Sequence, residues 1–336
     1  MAGEFAGRPI GDTSVATAVT TTAPPDVSAE SVESFQVIRG RTFYHFSIGP
    51  GADGLYARSV LLFVVPPGSF LNPFLRTSSL RAVAVIPARF ASSRLPGKPL
   101  AEIAGRPMIE HVYRRAADAS GIDAVVVATD DERIAAAVES FGGIVRMTKS
   151  THRTGTDRIA EIAKDLSCEV LVNVQGDLPL IEPGMISEVL HPLVTDPSVK
   201  MSTLRQVTTD AAEIASSHVV KVVVDRNGDA LYFSRAAIPF HRDDGPAKAG
   251  NYRADVESGF SRTVYKHIGL YGFRRDFVLT FAALPQTPLE QAESLEQLRA
   301  LEHGYRIRTV ATRFESIEVD TPEDLERVRQ LMATRV

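Results

Sequence analysis

The chain has 336 residues, of which 44% are apolar, and its formal net charge is −4. This size suffices for one large domain or two modest ones, and the balanced charge argues against a general nucleic-acid binder, which carries a basic excess. The single cysteine, Cys168, excludes an intrachain disulfide and a cysteine-built metal site. No apolar run reaches the length of a membrane span and no secretory pattern opens the chain, so we expect a cytoplasmic protein.

The first 79 residues differ in composition from the remainder. They contain Thr-Thr-Thr-Ala-Pro-Pro (20–25) and Pro-Pro-Gly (66–68), and no lysine precedes Lys98. Segments of this kind, without a lasting apolar period, are typical of disordered or low-complexity chain. We therefore predict a disordered or low-complexity leader over 1–79 and a folded domain over 80–336. The alternatives are a small accessory domain and a start codon assigned too early.

After the leader, short apolar runs alternate with helical patterns. The predicted elements are a strand over 82–87, a helix over 108–119, a strand over 124–128, a helix over 131–141, a strand over 144–147, a helix over 155–166, a strand over 169–174, a helix over 183–194 and a strand over 201–207. The first strand is continuously apolar, as a buried parallel strand requires. The alternation of strand and helix predicts a mostly parallel sheet with helices on both faces.

The second half of the folded part is more antiparallel. Asn227-Gly228 lies between two predicted strands and is a strong hairpin signal. The predicted elements are strands over 219–224, 230–233 and 264–273, one helix over 289–304, extended pieces over 307–311 and 316–319, and a last helix from 321. The fold class is therefore α/β, a mostly parallel sheet with an antiparallel extension and a hairpin-rich subregion over about 219–275.

The segment 86–100 carries the strongest signal for function. It reads Ile-Pro-Ala-Arg-Phe-Ala-Ser-Ser-Arg-Leu-Pro-Gly-Lys-Pro-Leu and follows the first strand, where ligands of open α/β sheets bind. Arg89, Arg94 and Lys98 suit a triphosphate, and the two prolines stiffen the loop. Its glycine spacing fits neither a P-loop nor a dinucleotide fingerprint. A solvated basic loop is the alternative.

Two acids end other strands. Asp177 follows the predicted strand over 169–174, and Asp320 follows the extended piece over 316–319. Carboxylates at strand ends suit a magnesium ion that is shared with substrate phosphates. For Asp320 the spacing alone favours a simpler role, a charge at a helix N-terminus worth about 0.3–1 kcal/mol.

Two segments that contain histidine give a less specific signal for function. His152-Arg153-Thr154-Gly155-Thr156-Asp157-Arg158 leads into a helix, so it is either an anion-binding loop that uses Gly155 and Arg158 or a capped helix start. His267 lies in the strand over 264–273, where a histidine is more often satisfied within the fold than a ligand. Asp130, Asp131 and Glu132 are most simply the acidic first turn of a helix.

Together these segments resemble the 3-deoxy-manno-octulosonate (Kdo) cytidylyltransferase family over about 81–334. The segments that carry the resemblance are 86–100, 127–130 (Val-Ala-Thr-Asp), 152–158, 173–177 (Asn-Val-Gln-Gly-Asp), 220–223 (Val-Lys-Val-Val), 230–236 (Ala-Leu-Tyr-Phe-Ser-Arg-Ala), 267–272 (His-Ile-Gly-Leu-Tyr-Gly), 295–299 (Leu-Glu-Gln-Leu-Arg) and 319–325 (Val-Asp-Thr-Pro-Glu-Asp-Leu). Each segment is moderately specific, and their occurrence in this order is highly specific.

The resemblance implies a Rossmann-like nucleotide-diphospho-sugar transferase fold, a homodimer, Mg²⁺ as cofactor, and CMP transfer from CTP to Kdo. By the same resemblance, nucleotide binding is expected at Arg89, Ser92, Arg94, Lys98, Gly155 and Arg158, sugar-acid binding at Gln175, Arg235, His267, Tyr271, Glu296 and Gln297, metal binding at Asp177 and Asp320, and catalysis at Lys98, Arg89 and Asp177.

Three features depart from the family pattern. Leu178 stands where the family has Glu after Gln-Gly-Asp, Thr154 stands where Ser is frequent, and the leader is long. Leu178 leaves the exact sugar acid and the metal geometry open. The alternatives are therefore a cytidylyltransferase for an amino-Kdo, Kdn or sialic-type acid, a non-catalytic nucleotide-binding paralogue, and a glycosyltransferase of similar fold. The last is disfavoured because the stretch 175–179 has no Asp-x-Asp motif.

Overall fold

The computed structural model describes residues 31–38, 41–47, 80–91, 94–240, 263–315 and 317–334. The chain divides into two compact units, Met1–Leu71 and Asn72–Val336. In the first unit, strands β1 (Ser31–Ile38) and β2 (Arg41–Ser47) pair antiparallel. The sequence predicts no element there. The rest of the predicted leader over 1–79 and the predicted nucleotide-binding residue Ser92 lie outside the described residues.

The second unit contains eleven strands within the described ranges. They are β3 (Leu80–Ala88), β4 (Glu102–Ile103), β5 (Arg106–Pro107), β6 (Ala124–Thr129), β7 (Ile144–Met147), β8 (Cys168–Asn173), β9 (Met201–Thr208), β10 (Lys221–Val224), β11 (Ala230–Ser234), β12 (Val264–Arg274) and β13 (Arg308–Ala311). The helices are α1 (Met108–Ala117), α2 (Glu132–Ser140), α3 (Gly155–Ala163), α4 (Pro183–Thr195), α5 (Ala211–Ala215), α6 (Arg275–Ala283), α7 (Pro288–Glu293), α8 (Gln297–Glu302) and α9 (Pro322–Ala333).

One mixed sheet organises this unit, in the strand order β11-β10-β12-β8-β3-β6-β7, and β9 pairs with β12 and β13. Strand β3 is parallel to β6 and β8, and β6 is parallel to β7. Strand β12 runs antiparallel to β8, β9 and β10, and β10 forms the antiparallel hairpin with β11. The predicted α/β class, a mostly parallel sheet with an antiparallel extension, is therefore confirmed.

The sheet is buried on both faces. In the central strand β3, Ala84 and Ile86 belong to the core on one face, which also contains buried residues of α1 and α4. Val83 and Val85 belong to the core on the opposite face, together with buried residues of α3 and α6. Successive side chains of a strand point to opposite faces, so a strand covered by helices on both sides must be continuously apolar. Loops at the strand ends are thereby held on a rigid support.

The structure corrects two element predictions. The single helix predicted over 289–304 is two helices, α7 and α8, because Ser294 adopts a left-handed conformation with φ 51° and ends α7. The break lets the buried side chains of Glu290 and Arg299 pair, with Arg299 Nε donating to Glu290 Oε2 at 2.8 Å. The described residues 317–319, predicted to be extended, form no strand. Helices α5 and α6 and the short strands β4 and β5 were not predicted.

Candidate active site

A cavity of about 440 Å³ opens at the carboxyl edge of the parallel strands. It is lined by the loop after β3, the segment that leads into α3, the loop after β8 and the segment before α9. The lining residues are Pro87, Ala88, Arg89, Arg94, Lys98, Pro99, His152, Arg153, Thr154, Gly155, Arg158, Gln175, Gly176, Asp177, Glu318 and Asp320. The predicted convergence of Lys98, Asp177 and Asp320 on one cleft is confirmed.

The loop after β3 folds back on itself. The Gly97 amide donates to the Phe90 carbonyl at 3.0 Å, and the guanidinium of Arg133 lies 3.3 Å from the centre of the Phe90 ring. Gly97 has φ 70°, and a Cβ there would lie 3.1 Å from the same ring, so glycine is needed for both its conformation and its lack of a side chain. The turn that follows begins at Lys98 and directs its ammonium group into the cavity.

Lys98 joins the two predicted metal ligands. Its Nζ atom lies 2.8 Å from Asp177 Oδ2 and 3.2 Å from Asp320 Oδ1. Burial lowers the pKa of Lys98, but the ion pairs and hydrogen bonds with the two aspartates outweigh burial and hold the pKa above its ordinary value. Lys98 is therefore a cation that neutralises part of a carboxylate cluster.

Asp320 does not serve as the cap of the last helix. Thr321 and Asp324 form a capping box at the start of α9, and the amide of Asp320 donates to Asp324 Oδ2 at 3.1 Å. The Asp320 carboxylate faces the cleft instead, where Arg94 pairs with it at 3.0 Å. The prediction of a simple helix-terminal charge is therefore wrong, because Asp324 fills that role and leaves Asp320 to the cations of the cleft.

Glu318 is a site residue that the sequence reasoning missed. Ligand oxygens of Asp177, Glu318 and Asp320 all lie within 4.8 Å of one another. Desolvation in the crowded cleft, and then the negative charges of the two aspartates, raise the pKa of Glu318 to about 7. A signal was present, since alternate residues of an extended segment share a face and Glu318 stands two before Asp320.

The loop after β8 is fixed closely against β3. A Cβ on Gly176 would lie 3.2 Å from the Pro87 carbonyl oxygen, and the amide of Val319 donates to the Asp177 carbonyl at 2.9 Å. Leu178, the first of the departures from the resemblance, is 6% exposed, belongs to an apolar core and does not line the cavity. Its side chain therefore adds to the packing beneath the site.

The start of α3 is a capped helix that also lines the cavity. Thr154 and Asp157 form a capping box, and Gly155 and Arg158 face the cavity. Arg158 is 4% exposed, and its guanidinium contacts Asp130 Oδ2 at 3.3 Å and Thr148 Oγ1. The interpretation as a capped helix start is therefore confirmed, while anion binding by Gly155 and Arg158 stays a prediction. Arg158 faces the cavity from a fixed position.

Of the predicted sugar-acid residues, Gln175 lines this cavity, whereas five others lie beyond it around β12 and the α7–α8 junction. His267 Nε2 lies 2.9 Å from Thr203 Oγ1, and burial lowers the pKa of His267 to about 3, so its ring is neutral. The ring of Tyr271 lies 5.5 Å from that of His267, and burial raises the pKa of Tyr271. These two side chains therefore offer neutral hydrogen-bonding groups.

Arg235 is held by main-chain oxygens. Its Nε donates to the Glu293 carbonyl at 2.7 Å and its Nη1 to the Ser217 carbonyl at 3.0 Å. Lys221, which is fully buried, donates to the carbonyl of Arg235 at 2.6 Å and to those of Ser216 and Val219. The expected role of Arg235 in binding a sugar carboxylate stays a prediction, because its guanidinium bonds to backbone here.

Glu296 and Gln297 are buried beside α3. The Thr156 hydroxyl donates to Glu296 Oε2 at 2.6 Å, and burial raises the pKa of Glu296. Two atoms, Glu296 Oε1 and Gln297 Nε2, are buried without a hydrogen-bond partner among the described residues. Buried polar atoms are nearly always bonded, so their lack of partners is consistent with a polar ligand.

No described helix is long and apolar enough to cross a membrane. The family model "Cytidylyltransferase" matches residues 83–309. The 3-deoxy-manno-octulosonate cytidylyltransferase of Geobacter metallireducens is 55% identical over 249 residues, which are 74% of this chain and 96% of that protein. The enzyme of the same name from Solibacter usitatus is 50% identical over 256 residues, 76% of this chain and 96% of that protein.

The solved structure of a CMP:2-keto-3-deoxy-manno-octonic acid synthetase complexed with CTP also matches. It is 44% identical, has a TM-score of 0.69, and the match covers 76% of this chain and all of that chain. Sequence identity, the matched family model and the shared fold agree over the same part of the chain. This protein therefore belongs to the 3-deoxy-manno-octulosonate cytidylyltransferase family.

Proposed function

We propose that this protein transfers CMP from CTP to the anomeric 2-hydroxyl of 3-deoxy-manno-octulosonate, giving CMP-Kdo and pyrophosphate. The observation that carries the proposal is the cleft in which Lys98, Arg94 and Arg89 meet the carboxylates of Asp177 and Asp320. A site with this charge pattern suits a polyphosphate that is approached by a second anion. The resemblance to a relative in complex with CTP supports the same nucleotide.

The cations of the cleft would act mainly by positioning the phosphates of CTP and by neutralising their negative charge. The sugar hydroxyl would attack the α-phosphorus in line: its bond to phosphorus forms as the bond to the β-phosphate oxygen breaks, its proton passes to water, and pyrophosphate leaves. Arg89, Arg94 and Lys98 would hold the β- and γ-phosphates and stabilise the negative charge that develops on the leaving group. Both substrates are anions, so charge neutralisation is the central task of the site.

The residues of the cleft fit a magnesium ion. Asp177 Oδ1 is buried without a hydrogen-bond partner, and it belongs to the three carboxylates whose ligand oxygens lie within 4.8 Å of one another. Hard oxygen ligands of this kind are those that Mg²⁺ prefers. Asp177 and Asp320 would hold the ion, with Glu318 beside them. When bound, Mg²⁺ supplies charge neutralisation and lowers the pKa of a hydroxyl group that binds to it.

A homodimer in the cytoplasm is the remaining expectation. Within the described residues β11 pairs only with β10, and its Leu231 is 63% exposed, so this edge supports a contact with a second copy. A solution mass from light scattering would test the dimer.

A panel of substrates tests the reaction. Pyrophosphate release would be measured with CTP and each of Kdo, 8-amino-Kdo, Kdn and a sialic acid, and then with Kdo and ATP, GTP or UTP. We expect turnover with CTP and Kdo at least tenfold above every other pair. A preference for another acid would establish one of the neighbouring cytidylyltransferases, and no release with any pair would indicate a non-catalytic paralogue.

A further inference from the structure

The first turn of α3 contacts both the cavity and the buried carboxylate of Glu296. Thr154, Gly155 and Arg158 line the cavity in which we place the nucleotide. Thr156 does not line it, is 3% exposed, and donates its hydroxyl hydrogen to Glu296 Oε2 at 2.6 Å. A single helical turn therefore links the nucleotide cavity to a buried glutamate on another part of the chain.

The two oxygens of the Glu296 carboxylate have different surroundings. Oε2 accepts the short hydrogen bond from Thr156, whereas Oε1 has the Arg299 guanidinium near it, with Nη2 at 3.6 Å. Oε1 itself is buried and has no hydrogen-bond partner among the described residues, and neither has Nε2 of the neighbouring Gln297. The Thr156 hydroxyl thus orients Oε2 of the carboxylate and leaves Oε1 as an acceptor for a hydroxyl-bearing ligand.

The guanidinium of Arg299 is bonded to a different carboxylate, that of Glu290. Its guanidinium already forms two bonds with Glu290, at 2.8 and 2.5 Å, and both side chains are buried. The short bond that orients Glu296 therefore comes from Thr156, whose helix also carries Gly155 and Arg158.

We propose that Thr156 is a positioning residue that couples the two substrate pockets by orienting Glu296 toward the hydroxyl groups of the sugar acid. The inference rests on the proposed function. A nucleotide in the cavity immobilises the first turn of α3, and the Thr156 hydroxyl moves with that turn. Part of the ordering of Glu296 is then complete before the sugar acid binds, which is positive coupling between the two ligands.

The test is Thr156→Val, which removes the hydroxyl and nearly keeps the volume. We expect the KM for the sugar acid to rise about tenfold, the effect of losing a hydrogen bond to a charged group. The KM for CTP should change less than twofold. Thr156→Ser restores the hydroxyl and should return the sugar-acid KM to within about twofold of the parent value.

Calorimetry gives a second readout that does not need turnover. The affinity for the sugar acid would be measured with and without a CTP analogue whose α,β-bridge resists cleavage. In the parent protein we expect the analogue to tighten sugar-acid binding at least about fivefold, and in Thr156→Val most of that gain should be lost.

Thr208→Val is the matched control. Thr208 is also buried, and its hydroxyl donates to Glu213 Oε2 at 2.5 Å, but it does not line the cavity. This variant should lose a comparable bond without a change in either KM.

Two outcomes would overturn the inference. One is a sugar-acid KM in Thr156→Val that stays at the parent value, and the other is an equal rise in both KM values that Thr156→Ser does not reverse. Failure of the proposed function looks different, because the parent protein would then release no pyrophosphate with CTP and Kdo.

Discussion

The charged cleft and the buried α7–α8 region use ion pairs in opposite ways. In the cleft, Lys98 and Arg94 pair with Asp320, whose side chain is 29% exposed, and Asp177 keeps an unpartnered oxygen. In the buried region, Arg299 and Glu290 satisfy each other with side chains 5% and 7% exposed. The cleft leaves capacity for a ligand, whereas the buried pair is complete. We therefore expect mutations in the cleft to affect activity and mutations of the buried pair to affect stability.

The largest effect should come from Asp177→Asn. Loss of this carboxylate removes a charge from the reacting centre, and we expect kcat/KM to fall about 10³-fold or more. The melting temperature should stay within about 2 °C, or rise, because the change also relieves repulsion among three carboxylates. Pyrophosphate release and thermal unfolding would measure the two quantities.

Asp118→Asn, an exposed change at the end of α1, is the control for Asp177→Asn and should leave both quantities unchanged. Near-normal turnover in Asp177→Asn would contradict the expectation that mutations in the charged cleft affect activity.

The next effect belongs to the buried pair. Arg299→Met leaves the Glu290 carboxylate buried without its partner, and we expect the free energy of unfolding to fall by about 3 kcal/mol. Urea unfolding would measure the loss. The double variant Arg299→Met/Glu290→Met replaces both charges with apolar groups and should recover most of the stability. A loss below about 1 kcal/mol in the single variant would mean that the pair contributes as little as a surface ion pair.

The two regions also differ in how far the sequence could predict them. Lys98 and Asp177 lie in the loops after strands β3 and β8, and the rule that ligands bind at the carboxyl ends of parallel strands places them in one cleft. Glu318 was missed although its segment was predicted to be extended, because only the residue that follows each predicted strand was taken as a candidate ligand. His267, Tyr271 and Glu296 were expected to bind ligand only by resemblance, since their proximity depends on how β12 and the α7–α8 junction pack.

The broken helix shows a second limit of the sequence. Leu289, Leu295 and Leu298 have a spacing that fits one helix, yet Leu289 is 39% exposed while the other two are buried. The turn at Ser294 brings Glu290 and Arg299 together, a contact between side chains nine residues apart. Apolar periodicity carries no information on such a contact.

The smallest predicted effect is the pH dependence that His267 contributes to stability. Its folded pKa of about 3 lies below the ordinary value of 6.5, so the folded state holds the ring neutral while the unfolded state binds a proton. The stabilisation is complete above pH 6.5 and is lost as the pH falls toward 3, by at most about 1.4 kcal/mol per pH unit.

Between pH 7 and 5.5 we expect the free energy of unfolding to fall by about 1 kcal/mol, a loss that His267→Gln does not show. Urea unfolding of both proteins across this range would measure the difference. If the unfolding free energies of the two proteins changed equally with pH, the His267 ring would accept a proton in the folded state. The region around β12 would then resemble the charged cleft more than the buried pair of Arg299 and Glu290.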